Sequence, residues 1–447
     1  MKPIDLSNIW VRFTFLIILV FLYFNIGYII PRESSTQLIL FYLFTLITTY
    51  LILNTKNSYS QILIIGIIFR LVFFNSVPIL SDDFYRFIWD GNLMLKGINP
   101  YKYLPKDIIN DGTIFNLAND LFEGMSSLSA NNYSNYPPFN QLGFLFSVWT
   151  NPGNIITNIM VMRGLIILSD IGTFLIGIKV LNYLKIPIER IGWYFLNPLV
   201  IIELTGNLHW EGVMLFFFIT GIWMLLKNNM VRSTLFFSIS IAIKLIPILI
   251  LPVLWRYFDN KRKYYFITLI FIFSIFLIAP FINDYNSISN YFKTLSLWFN
   301  KFEFNASIYY IVREVGILIK GYNLIKEISQ ITPFIIIGIV SYYSFFKKNK
   351  NPKEFFVNML LVLSLYFFIS TTVHPWYIIS LVLLGIFTNY SFPIFWSSMI
   401  FISYTTYGNK LFQENLYATA LEYIVVYGVF LYEMKYKKPL IKSFSGD

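Results

Sequence analysis

Cysteine is absent from this 447-residue chain, and histidine occurs only twice, at His209 and His374. Without cysteine there are no disulfides, thiolate metal sites or cysteine nucleophiles, so any chemistry must rest on oxygen and nitrogen groups. Charge is scarce too: 13% of the residues are Asp, Glu, Lys or Arg while 57% are hydrophobic. That balance excludes an ordinary soluble domain and is the composition of a polytopic membrane protein. No internal repeat, direct or inverted, runs through the order of apolar segments, which weighs against most secondary-transporter architectures. The net charge of +11 does not point to nucleic acid, because the Lys and Arg residues are spread over short loops instead of one face.

What is present is a series of apolar segments near residues 10–30, 36–53, 60–78, 155–181, 191–206, 210–226, 264–281, 331–346, 354–372, 376–390, 392–408 and 418–434. They predict an all-α fold, a polytopic transmembrane helical bundle of about 12 spans forming one integral membrane domain over 1–447. The first segment is too long for a signal-peptide core and lacks a small-x-small cleavage site, so it reads as a retained span. Basic clusters at Lys179/Lys185/Arg190, Arg256/Lys261/Arg262/Lys263, Lys347/Lys348/Lys350/Lys353 and Lys435/Lys437/Lys438 mark the cytoplasmic side, joined by Lys2 and Arg12.

Lys227/Arg232 and the cluster from Arg256 both carry that signature, yet a single apolar stretch separates them, so the chain must cross an even number of times. Pro247 supplies the break, and 233–255 reads as a re-entrant pair of half-helices with Lys244 near its tip. This arrangement puts the loops 79–137 and 282–304, the turns 206–209 and 372–376, and the loop near Lys410 on the non-cytoplasmic face. Both histidines then share a face with Asp82 and Asp83.

The long loop 79–137 opens with Ser81-Asp82-Asp83-Phe84-Tyr85-Arg86-Phe87-Ile88-Trp89-Asp90-Gly91. Ser81 is placed to cap a helix running to about Lys96, ended by Gly97 and Asn99-Pro100. Acids in a first turn complement the helix dipole whatever the function. Two acids with Arg86 on a polar stripe at a membrane surface are uncommon, though, and make Asp83, then Asp82, the candidate catalytic carboxylates. Asp90 lies on the same stripe as Asp83, and Tyr136-Pro137-Pro138 closes the loop.

A second polar cluster holds Asn197-Pro198, Glu203, Asn207, His209 and Glu211. Glu203 lies in an apolar run and must be protonated, paired or turned to a cavity. Lys244 suits a phosphate, against the alternative of a snorkelling lysine. Arg163 and Asp170, within one span, read as helix-to-helix links. His374 beside Trp376 and Tyr377 fits a sugar or phosphate site, although the two aromatics would also serve as interfacial anchors.

Taken in order, Asp82 to Gly91, Gly97-Ile98-Asn99-Pro100-Tyr101, Tyr136-Pro137-Pro138, Asn197-Pro198-Leu199 with Glu203, Asn207-Leu208-His209, Lys244-Leu245-Ile246-Pro247 and His374-Pro375-Trp376-Tyr377 resemble the GT-C glycosyltransferases that use polyprenyl-phosphate sugars. The pattern is similar in particular to the membrane mannosyltransferases of family 87 and the lipomannan-type groups. Where such proteins often show His-Asn-Asp, this chain has His209-Trp210-Glu211.

The resemblance implies transfer of a sugar, with mannose expected, from a polyprenyl phosphate to an acceptor hydroxyl of a glycan, glycolipid or protein, with inversion. It makes Asp83 or Asp82 the base, Lys244, His374 and Arg86 the donor-phosphate residues, and Asp90, Tyr136, Glu203, Asn207, His209, Trp376 and Tyr377 substrate-binding residues. A divalent cation held by Asp82 and Asp83 is the one cofactor these acids admit, and no full ligand set is visible. The expected partners are the lipid-linked donor, the acceptor and membrane lipid, without nucleic acid. The expected location is a bacterial inner membrane with the site facing the periplasm. The alternatives are a polysaccharide polymerase or ligase using a similar donor, or a flippase or transporter of lipid-linked sugars.

Overall fold

A computed structural model describes residues 9–445 apart from 56, 111–113, 282–283 and 410–411, so Lys2 and Lys410 lie outside the described residues. Among the described residues the chain is helical throughout, and its one extended pairing is an isolated parallel bridge between Phe304 and Thr372. Large apolar side chains such as Phe21, Phe44, Phe276 and Ile424 point outward from these helices, a surface suited to lipid rather than water.

Six described helices are long and apolar enough to cross a membrane: Trp10–Tyr28, Ser35–Leu53, Ile155–Leu184, Ile325–Phe346, Pro352–Ile369 and Leu416–Tyr436. A seventh crossing is counted if Pro198–Gly206 and Glu211–Leu226, bent by 114°, form one span. The count falls short of the expected 12 or so because several apolar runs fold as shorter or interrupted pieces, among them Tyr59–Val72, Met230–Ile243 and Pro375–Gly385. Apolar composition measures what lipid tolerates, whereas helix length also depends on where the backbone breaks.

Buried charge ties these helices together. Asp170 accepts from the Arg70 guanidinium and, at 2.8 Å, from the Tyr194 hydroxyl, while Arg70 also lies 4.0 Å over the Phe195 ring. Arg163 spends its donors on three carbonyls, those of Phe74 (2.8 Å), Thr205 (2.7 Å) and Gly206 (3.1 Å). Both residues thus bond to neighbouring elements, as links between helices would.

At the far end of the long helix Ile155–Leu184, Arg190 donates to the carbonyls of Thr388 (2.8 Å) and Ser443 (2.7 Å), and Arg256 reaches those of Phe345 and Phe346. The basic segments therefore meet at the end remote from Arg163.

The loop that opens with the acids starts as the helix Asp83–Leu95, with Asp82 at its N-cap and the Asp83 amide donating to Ser81 Oγ at 3.3 Å. Its end is a Schellman turn: Ile98 N–H bonds Leu93 O, Gly97 N–H bonds Met94 O, and Gly97 sits at φ +74°, where a side chain is strained. Arg86 and Asp90 do the pinning within the loop. Arg86 Nε donates to Asp90 at 2.7 Å and its Nη1 to the carbonyls of Ser129 and Asn132, while Ser134 and Gln141 both donate to the second Asp90 oxygen. One strand of loop, 129–134, is held against one helix face by a fully buried ion pair.

Candidate active site

Four short pieces of chain converge on Asp83, each shaped by a local break in helical geometry. The first residue of Asp83–Leu95 presents the acid. The second piece is a π-helical segment, Ile201–Gly206, which follows the Asn197 cap and delivers Glu203; Leu208 then turns at φ +61° and places His209. Regular helix would have carried Glu203 and His209 to different sides, and such π segments occur often at functional sites. Third is the end of Met230–Ile243, where Lys244 leaves the helix with φ −147° and ψ 142° and Asn140 Nδ2 bonds the Ile243 carbonyl at 2.8 Å. The last is 371–377, laid along 302–304 by the bonds Phe304 N–H to Thr371 O and Val373 N–H to Phe304 O.

His209 is the centre of the cluster. Its Nε2 lies 3.8 Å from Asp83 Oδ2 and its Nδ1 lies 3.1 Å from Glu203 Oε2. Neither nitrogen makes an aligned hydrogen bond among the described residues, and the ring is held by its carboxylate neighbours and by stacking. Trp376 packs on it with ring centroids 3.7 Å apart, and His374 stacks on the same Trp376 at 4.4 Å. Burial alone would push the His209 imidazole down, but the carboxylates of Asp83, Glu203 and Glu211 outweigh it and hold it up at about 9.

Burial would likewise raise Asp83, and is outweighed by His209, Lys244 and His374, which hold its carboxyl below the usual carboxylate range. His374 behaves in the opposite way: burial dominates, helped by the positive charges of His209 and Lys244, and depresses it to about 3 despite the attraction of Asp83. At neutral pH the cluster is thus an anionic Asp83, a cationic His209 and a neutral His374 whose Nδ1 has no partner among the described residues.

Exposure separates the groups that can meet a ligand from those that cannot. The side chains of Asp83 and Lys244 remain 35% and 22% exposed, while Glu203 and Glu211 are fully buried. Lys244 Nζ sits 2.9 Å from Glu211 and 6.0 Å from the centre of the Tyr136 ring. Tyr377 stands edge-on to His374.

Asp82 is turned elsewhere. Arg32 grips it with two bonds, 2.8 and 3.2 Å, and itself lies 5.2 Å over the Tyr407 ring. The two adjacent acids therefore face different cations. Among the described residues, no three His, Asp or Glu side chains converge so as to hold a metal ion.

The structure thus brings together Asp83, His209, Glu203, Lys244, His374, Trp376, Tyr136 and Tyr377. It leaves Arg86 and Asp90 in their own network with Ser129, Asn132, Ser134 and Gln141, and Asn207 behind Glu203, to which its amide donates at 3.0 Å. Sequence reasoning passed over Arg32 and Tyr404, whose hydroxyl donates to Glu203 at 2.7 Å. Arg32 did leave a signal, as a base in a short loop on the side where the positive-inside rule expects few. Tyr404 left none, being one of 32 tyrosines.

Comparison with known proteins bears on the same residues. Residues 28–258 match the MptA_B family, described as alpha-(1->6)-mannopyranosyltransferase, N-terminal domain. A stretch of 191 residues is 26% identical to alpha-(1->6)-mannopyranosyltransferase A of Mycobacterium tuberculosis (strain ATCC 25618 / H37Rv), covering 42% of this chain and 35% of that protein. The chain thus aligns with about a third of that relative's length. The family match holds Asp83, Glu203, His209, Glu211 and Lys244 and extends over more than half of the sequence: the chain belongs to the MptA_B family.

Proposed function

We propose that this protein is a membrane mannosyltransferase that moves a mannosyl group from a polyprenyl phosphate to an acceptor hydroxyl on the non-cytoplasmic face, with inversion. The observation that carries the reading is the pairing of an ionised, reachable Asp83 with Lys244 and His374 in one recess, within a family described by mannosyl transfer.

In the reaction, Asp83 takes the proton of the acceptor hydroxyl as the acceptor oxygen forms its bond to the anomeric carbon. The bond from that carbon to the phosphate oxygen breaks, and the polyprenyl phosphate leaves with the electron pair. The transition state is oxocarbenium-like, so negative charge gathers on the departing phosphate. Lys244, released from Glu211, meets that charge as a compact ammonium, and His374, neutral, donates a hydrogen bond to it through its imidazole N–H. Tyr136 and Tyr377 line the recess and offer ring edges and faces to the sugar. If the product is the α-(1->6) linkage of the family's description, inversion requires a β-linked donor. The apolar outer surface of the helices gives the isoprenoid tail a place to lie.

Arg32 favours Asp83 over Asp82 as the base, since it engages both Asp82 oxygens and turns that carboxylate away from His209 and Lys244. General-base help is typically worth about two to four orders of magnitude. Asp83→Asn should therefore lower turnover by at least about two orders of magnitude with donor binding retained, whereas Asp82→Asn should cost about tenfold or less. Side-by-side single-turnover assays of the purified variants make the comparison. Full activity in Asp83→Asn, or a dead Asp82→Asn beside it, contradicts the assignment.

A further inference from the structure

Glu203 cannot touch a sugar, yet it is wired into the recess. It is fully buried inside the π-helical segment, and its two oxygens are taken by Tyr404 Oη at 2.7 Å and Asn207 Nδ2 at 3.0 Å. Among the described residues the titratable group it pairs with is His209, whose Nδ1 lies 3.1 Å away, and the other nitrogen of that ring looks at Asp83. Trp376 closes the ring's flank, leaving the imidazole 2% exposed.

We infer that His209 is a cationic clamp rather than a sugar ligand, and that Glu203, backed by Tyr404, is a positioning residue that acts through it to aim the Asp83 carboxylate. The charges around the ring demand such a clamp. His209 faces Asp83 from the first turn of the acidic helix, Glu203 from the π segment and Glu211 from the next helix; Lys244 and His374 face Asp83 from the other side. Of the cluster's two cations, His209 and Lys244, the lysine is committed to Glu211 at 2.9 Å. A neutral imidazole would leave Glu203 buried with hydroxyl and amide donors but no opposite charge, and a buried charge without a partner is strongly destabilising. A protonated His209 neutralises Glu203 on one side and keeps Asp83 ionised on the other.

The role given to Asp83 rests on the transfer reaction proposed above; the clamp itself does not. The chain's two histidines make the test direct, because imidazole NMR of the full-length protein in nanodiscs gives two side-chain signals, assigned with His374→Gln. The His209 signal should stay in its protonated form through neutral pH and titrate near 9. Glu203→Gln should move that midpoint down by about one unit or more, and the gentler Tyr404→Phe should move it in the same direction by less. In the kinetic arm, Glu203→Gln should shift the alkaline limb of kcat/KM to lower pH, because His209 then loses the proton that clamps Asp83 at a lower pH. A merely structural defect would lower the whole profile without moving it.

A His209 signal titrating at the ordinary imidazole value of about 6.5, unmoved in Glu203→Gln, overturns the clamp. A shifted signal with an unmoved alkaline limb overturns the action of Glu203 on Asp83. The histidine signal is read without substrate, so failure of the transfer reaction and failure of the clamp are distinguished.

Discussion

Asp82 and Asp83 are chemically identical neighbours, and one helical step separates their fates. About 100° of rotation turns the first to Arg32 and the second to His209. The acid pair stands out in the sequence; which member faces the recess does not, because the partner that decides it, Arg32, lies 50 positions away.

Lys244 is the residue on which the donor reading depends most. Its loss exposes a second problem, since Glu211 would be left buried without its cation. The informative variant is therefore Lys244→Ala combined with Glu211→Gln, which removes the charge without stranding an acid. A charge-assisted hydrogen bond is worth ~1.5–3 kcal/mol, so KM for the lipid-linked donor should rise about tenfold to a hundredfold while KM for the acceptor changes little. Steady-state kinetics with each substrate varied in turn decide it. An equal rise for both substrates points to a general collapse of the recess instead.

At the scale of elements, the recess exists because regular helices fail at chosen places. The π segment Ile201–Gly206, the extended Lys244 and the turn Pro375–Tyr377 each end or distort a helix just where a polar side chain is delivered. Sequence reading located the break that Pro247 announces and the turn at 372–376, but not the π segment: Glu203 marks Ile201 to Gly206 as a charge in an apolar run, and nothing there announces a change of helical period. The acidic helix is seated by a close approach: a Cβ at Gly91 would stand 2.6 Å from the carbonyl oxygen of Phe144 on the helix Pro138–Thr150. Gly91→Val should force these two helices apart and cost ~1–3 kcal/mol. Thermal unfolding in detergent should show a lower midpoint, with turnover reduced because Asp83 rides on the displaced helix. An unchanged midpoint would mean that the helices are free to separate there.

The molecule as a whole divides polar work between its two ends. Arg190 and Arg256 tie the basic segments together beyond one end of the helix Ile155–Leu184, while Arg163, toward its other end, anchors the carbonyls beside Glu203. The all-helical character was readable from composition because a chain with 57% hydrophobic residues has few other ways to satisfy its backbone in lipid. The number of crossings was not, since apolar runs continue across breaks that only packing reveals. The family match ends at residue 258, yet His374, Trp376 and Tyr404 come from beyond it to complete the cluster. The C-terminal part is thus structurally part of the same site.

The central claim is that the sugar arrives on a lipid phosphate, and the choice of donor tests it most directly. Purified protein in nanodiscs, given an acceptor glycan, should form a mannosylated product from polyprenyl phosphate mannose and none from a nucleotide sugar supplied alone. Efficient transfer from the nucleotide sugar without any lipid-linked intermediate would contradict both the donor and the phosphate role of Lys244.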